Sequence, residues 1–207
     1  MAHSGKKAVE WYAKAKQGDV EAQFTVGIIY QEGRGVAQSD EKAVEWYAKA
    51  AEQGYKEAQH NLGLMYAKGR GVAQSHEKAV ELFAKAAEQG LKDAQRSLAV
   101  MYQEGRGVAQ SDEKAVEWYT KAAEQGHKEA QYSLGIMYQE GRGVAQSDEK
   151  AVEWYTKAAE QGHKEAQHCL GFMYREGRGV AQSDEKAVEL FAKAAEQGLK
   201  EAQYNLG

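Results

Sequence analysis

Residues 40–75 read DEKAVEWYAKAAEQGYKEAQHNLGLMYAKGRGVAQS, and nearly the same string returns at intervals of 36 residues. Its marker, Ala-Glu-Gln-Gly, ends at Gly54, Gly90, Gly126, Gly162 and Gly198. Gly18 belongs to the same series, with one residue missing just before it. Self-similarity at a fixed period of this length is the signature of a stacked repeat array. One such unit cannot bury its apolar face alone, so neighbouring units must cover it.

Within the unit, Ser39 or Asp40 can cap a helix, and Asp40 and Glu41 suit its positive end. The proline-free run 41–53 is rich in good helix formers. Ala43, Tyr47, Ala50 and Gly54 recur at helical spacing, and Val44, Trp46 and Ala51 widen the apolar face. Gly54 ends this first helix. A second starts near Tyr55 or Lys56, with Ala58, Leu62, Met65 and Tyr66 inward and Gly63 open to close backbone approach. Gly69 ends it, and a short loop leads into the next unit. The spacing predicts first helices from near Lys6, Asp40, His76, Asp112, Asp148 and Asp184. Second helices are predicted from near Asp19, Tyr55, Leu91, His127, His163 and Leu199. Read this way, the chain is a single array over 1–207. It has complete repeats at 6–39, 40–75, 76–111, 112–147 and 148–183, and a partial sixth at 184–207. Residues 1–5 read as an expression scar or an N-terminal cap.

Composition narrows the function classes. Hydrophobic residues at 43% and charged residues at 28% are ordinary for a folded chain. A net charge of −4 without a basic stripe argues against a general nucleic-acid binder. No apolar run approaches the roughly 20 residues of a membrane span. Cys169 is the only cysteine, so no intrachain disulfide forms. No leader segment is visible, and both a cytoplasmic location and export after processing fit the sequence.

The residues Ala58, Leu62-Gly63, Tyr66 and Gly69-Arg70-Gly71-Val72, followed by Lys78-Ala79, Leu82-Phe83, Lys85-Ala86-Ala87 and Gly90, resemble the Sel-one-like repeat (SLR) family. That family is related to the tetratricopeptide repeat, and the resemblance runs over essentially the whole chain. It implies an all-α, right-handed solenoid of stacked antiparallel helix pairs. It also implies an adaptor or scaffold role of the kind often found in bacteria, with first helices lining a concave groove. Some relatives carry a disulfide in each repeat, which this chain cannot. Others carry proline in the loop, where Ala37 and Ala73 stand here.

Two surfaces are candidates for partner binding. On the first helices, Glu41, Glu45 and Glu52 recur as Glu113, Glu117, Thr120 and Glu124, and as Glu149, Glu153, Thr156 and Glu160. By the resemblance this stripe makes an acidic groove suited to a basic or polar peptide; a solvated face with ordinary i,i+4 pairs is the plainer reading. On the second helices, His60, Arg96, Tyr132, His168 and Arg175 mark a face that varies between repeats. It encodes partner specificity or reflects drift on an outer surface.

No nucleophile–base–orienter set stands out, and no metal or cofactor signature is present. The arginine series 34, 70, 106, 142 and 178 lies at helix C-termini, where the dipole disfavours an anion, and reads as structural. The expected function is protein–protein interaction without catalysis. Alternatives are a designed or purely structural array, and a binder or hydrolase of small ligands such as cell-wall fragments. A partial last repeat further suggests end-to-end self-association.

Overall fold

The computed structural model describes the backbone of residues 2–204 and the side chains of residues 9–204. The described residues form helices joined by short turns, with no strand among them. The first helices are α1 (Ala2–Lys16), α3 (Asp40–Glu52), α5 (His76–Glu88), α7 (Asp112–Glu124), α9 (Asp148–Glu160) and α11 (Asp184–Glu196). The second helices are α2 (Val20–Glu32), α4 (Lys56–Lys68), α6 (Lys92–Glu104), α8 (Lys128–Glu140), α10 (Lys164–Glu176) and α12 (Lys200–Tyr204). The all-α class and the helix starts match the sequence reading. One start differs: α1 begins at Ala2 instead of near Lys6, so residues 2–5 continue the helix.

The contacts divide into two compact units, Met1–Gln110 and Ser111–Gly207. In the first, α1 through α6 pack sequentially; in the second, α7 through α12 do. Within each unit the two helices of a hairpin pack on each other, and α2 on α3, α4 on α5, α8 on α9 and α10 on α11 join successive repeats.

The repeated residues explain the repeated geometry. Ser39 Oγ accepts the Lys42 N–H at 3.2 Å, and Ser75, Ser111, Ser147 and Ser183 cap their helices in the same way. Losing such a cap costs about 1 kcal/mol. Ala43, Tyr47, Ala50, Ala58 and Met65 form the buried interior of one hairpin. The close approach between hairpins is set by Gly27, where an added Cβ would lie 2.5 Å from the Tyr47 ring. In the second unit Gly135 stands in the same relation to Tyr155. The Gly-Arg-Gly loop closes each hairpin. Gly71 has φ +65, and a Cβ there would fall 2.3 Å from the Asp40 carbonyl carbon, so the loop lies on the start of α3.

Candidate partner-binding groove

Several polar residues are consumed in holding the repeats together. Gln23, Gln59, Gln95, Gln131 and Gln167 are buried. Each donates its amide N–H to an alanine carbonyl eight residues back, as Gln131 does to Ala123 at 3.0 Å. Within each unit the Oε1 atoms accept from the next repeat: Gln53 donates to Gln23 at 2.7 Å, Gln89 to Gln59 at 2.8 Å, Gln161 to Gln131 at 2.7 Å and Gln197 to Gln167 at 2.8 Å. Leaving one such buried amide unpaired costs about 1–3 kcal/mol. Sequence reasoning missed this ladder. Its signal was the unchanging Ala-Gln pair in every second helix.

The arginines are structural, as expected. Arg70 grips Asp40 with both Nε (3.0 Å) and Nη2 (2.7 Å), and Arg142–Asp112 and Arg178–Asp148 repeat the fork. Arg106 pairs instead with Glu104, and Arg34 with Glu32. The partner position of Arg106 holds His76 in place of aspartate.

Within each unit the variable second-helix face turns inward against the following repeat at His60, Tyr132 and His168. His60 packs 5.6 Å from the Phe83 ring, Tyr132 6.0 Å from Tyr155, and His168 5.6 Å from Phe191. Tyr132 also stacks on His163 at 4.6 Å. Arg175 lays its guanidinium 4.2 Å from the Phe172 ring, and Arg96 is half-buried. Variation here therefore accompanies changes in the neighbouring first helix. Where that helix carries tyrosine, its hydroxyl donates to a glutamine sixteen residues back, Tyr155 to Gln139 at 2.6 Å and Tyr47 to Gln31 at 2.5 Å. Where it carries Phe83 or Phe191, Ala67 or Arg175 stands in the glutamine's place. Burial pushes the Tyr47 hydroxyl up to about 12 and the Tyr155 hydroxyl further still. Cys169 is half-buried in hydrogen-bonding reach of Tyr132 and Tyr155, and burial raises its thiol. His127 and His163 cap their helices through Nδ1, which accepts from Ala130 N–H at 3.4 Å and Ala166 N–H at 3.3 Å. Among the described residues no cluster of three or more His, Cys, Asp or Glu could hold a metal ion.

The glutamate stripe lies on the open face of the first helices. Glu41, Glu45, Glu52, Glu113, Glu117, Glu124, Glu149, Glu153 and Glu160 are exposed, and Thr120 and Thr156 are half-buried. Glu41, Glu113 and Glu149 accept hydrogen bonds from the capping serines at 3.0, 3.1 and 3.2 Å, which ties them to the helix ends. Glu45 and Glu160 instead line grooves between successive first helices.

The groove between α9 and α11 encloses about 220 Å³; Thr156 and Glu160 form one wall, and Lys186, Glu189, Leu190 and Lys193 the other. Ala159, Gln167, Leu170 and Tyr174 make its base. Lys193 donates to Glu189 at 2.6 Å, and Lys186 lies 4.9 Å from the Tyr174 ring. The groove between α1 and α3 encloses about 450 Å³, with Tyr12, Lys16, Lys42, Glu45, Trp46 and Lys49 at the corresponding places. The walls are thus mixed in charge, with lysine rows beside the glutamates and aromatic rings beneath. Trp46 is buried, while Trp118 and Trp154 are half-buried, each under a lysine ammonium, 3.9 Å for Lys121 and 4.1 Å for Lys157.

Stacked antiparallel helix pairs with this cap, glutamine and loop pattern define a helical-repeat protein of the solenoid class. The Sel1 repeat profile matches residues 3–19, 20–55, 56–91, 92–127, 128–163 and 164–199, and the chain belongs to the Sel1 repeat family. Those segments are framed from the second helix, so they share the period of the sequence reading and differ from it in phase. Among solved structures, the chain is similar to c5321, a protective antigen of uropathogenic Escherichia coli displaying an SLR fold. The two are 42% identical with a TM-score of 0.93 over 95% of this chain. The chain spans 42% of the length of that antigen. It is 33% identical to a Sel1 repeat protein from Oxalobacter formigenes, with a TM-score of 0.85, covering 98% of this chain and 86% of the other. Similarity to Helicobacter pylori cysteine rich protein B is weaker, 27% identity and a TM-score of 0.51 over 63% of this chain and 93% of that one. No curated relative matches the chain at a significant level.

Proposed function

We propose that this chain binds a partner protein or peptide along the grooves between successive first helices within its units. Sel1-repeat proteins are in general protein-interaction scaffolds. No described helix is long and apolar enough to cross a membrane. The observation that carries the groove reading is internal. The grooves α1/α3 and α9/α11 share one base, in which Ala15, Gln23 and Tyr30 correspond to Ala159, Gln167 and Tyr174, yet they differ along their rims. A constant base with a varied rim suits a preorganised surface whose contacts are set repeat by repeat. Glu45, Glu117 and Glu153 then act together with the flanking lysines and Trp118 and Trp154.

The test is capture of a partner from a bacterial lysate by the chain and by the double variant Glu117→Lys plus Glu153→Lys, with helicity followed by circular dichroism. A partner lost by the helical double variant supports the groove. A partner held equally by both moves the site off the first helices.

A further inference from the structure

The α1/α3 groove departs from its counterparts in a way that specifies the chemistry of its occupant. The cause lies in the residue missing before Gly18. The Asp19 N–H bonds the Lys14 carbonyl as the Tyr55 N–H bonds the Ala50 carbonyl, and Gln23 bonds Ala15 as Gln59 bonds Ala51. Counted from the helix end, Lys16 therefore occupies the place of Glu52, and Tyr12 the place of Ala48. Upstream of the gap, the deletion rotates the face of an unbroken helix by about 100°. Tyr12, which by sequence pattern matches Tyr47, is carried from the buried stripe to the groove rim. It meets the Trp46 ring edge-on at 5.5 Å.

Lys16 is the more consequential change. At its position every later repeat has glutamate: Glu52, Glu88, Glu124, Glu160 and Glu196. The α9/α11 groove balances Lys186 and Lys193 against Glu160 and Glu189. The α1/α3 groove sets Lys16, Lys42 and Lys49 against Glu45 alone. All three ammonium groups rest over aromatic rings: Lys16 4.8 Å from Tyr12, Lys42 5.1 Å from Tyr30 and Lys49 4.1 Å from Trp46. Cation–π contact orders a lysine without neutralising it. The groove is also the roomier of the two and keeps an aromatic base.

We propose that the α1/α3 groove receives an acidic peptide segment whose carboxylates meet Lys16, Lys42 and Lys49 and whose apolar or aromatic side chains lie against Tyr12 and Trp46. This rests on the groove reading above and assigns a partner chemistry to one groove, opposite to the basic partner that the glutamate stripe suggests.

The probe is a fluorescein-labelled peptide of alternating aspartate and tyrosine, compared with the same peptide carrying lysine for aspartate, by fluorescence anisotropy on the full chain. The acidic peptide should bind, its affinity should fall with rising salt, and the lysine peptide should not bind. Lys16→Glu, which installs the residue of the other repeats on an exposed site, should weaken binding about tenfold or more. Lys49→Glu should do the same, while Lys200→Glu, remote in sequence and exposed, should leave binding unchanged. Equal binding of both peptides, no binding of either, or indifference to Lys16→Glu would overturn the proposal. If the acidic peptide fails while Glu117→Lys plus Glu153→Lys still abolishes partner capture, this inference falls and the groove reading stands. If Lys16-dependent binding is found while that double variant retains its partner, the α1/α3 site stands and the general groove reading falls.

Discussion

The α1/α3 and α9/α11 grooves are built on the same frame four repeats apart, and the changes of charge between them fall where the frame is not engaged. Their bases share alanine, a buried glutamine and a tyrosine, each committed to packing or to the inter-repeat hydrogen-bond ladder. Their rims carry Tyr12 and Lys16 in one case and Thr156 and Glu160 in the other, and the position held by Trp46 or Leu190 serves both the groove and the packing between repeats. The lesson is a division of labour: residues that make contacts between repeats are kept or change together with their partners, as His60 with Phe83 and Tyr132 with Tyr155, and residues that only face the groove are open to chemistry.

That division can be broken experimentally. The largest effect is expected at the frame. Gly27→Val and Gly171→Val place carbon 2.5 and 2.7 Å from the Tyr47 and Phe191 rings, and each should lower the unfolding free energy read by urea denaturation by about 1–3 kcal/mol. A tolerated substitution at one and not the other would show that the two frames are not equivalent. Next comes the tyrosine–glutamine bond. Tyr155→Phe should cost about 1 kcal/mol, and a double-mutant cycle with Gln139→Ala should recover most of it as coupling. In the phenylalanine repeat, Phe83→Tyr should gain stability only together with Ala67→Gln. Smaller again is the broken fork. His76→Asp restores the partner that Arg70 and Arg142 possess and should add up to about 1 kcal/mol, since such pairs are partly exposed. A loss there would mean that His76 holds its loop in some other way.

The pH response carries a sign that follows from the frame. Burial lowers His60, His163 and His168 below the ordinary histidine value. The folded chain then binds fewer protons than the unfolded one near pH 6.5, so the stability these groups contribute is whole above that pH and is lost as pH falls through their lowered values. His163 also caps α10 through an unprotonated Nδ1; once protonated, that nitrogen loses the cap and donates instead to the Glu165 carboxylate 3.3 Å away. Chemical denaturation at pH 5 and pH 7.5 should give the lower midpoint at pH 5, and His163→Asn, which still caps, should narrow the difference.

The fold was legible because its signals are local and repeated. Capping serines, glycine stops and alanine spacing fix each hairpin, and the period fixes the stacking. The grooves were half legible. The glutamate stripe stands on the open face, but its lysine neighbours share the groove, and a reading by helix spacing of acidic residues alone could not weigh them. The second-helix face was read as surface because its residues are polar. Their rings are covered by the next repeat, a contact invisible until Tyr47, Phe83, Tyr155 and Phe191 are placed in space. The gap before Gly18 was visible as a missing letter; its consequence, a rotated helix face carrying Tyr12 to the groove, needed the backbone hydrogen bonds of Asp19 and Gln23.

The division between fixed frame and chemical rim is tested most directly by grafting. Thr156→Tyr, Glu160→Lys and Leu190→Trp install the α1/α3 rim on the α9/α11 frame, and isothermal titration with the acidic peptide counts the sites. Binding should rise from one peptide per chain to two, with the chain still unfolding cooperatively in urea. A graft that leaves the count unchanged in a stably folded chain would contradict that division.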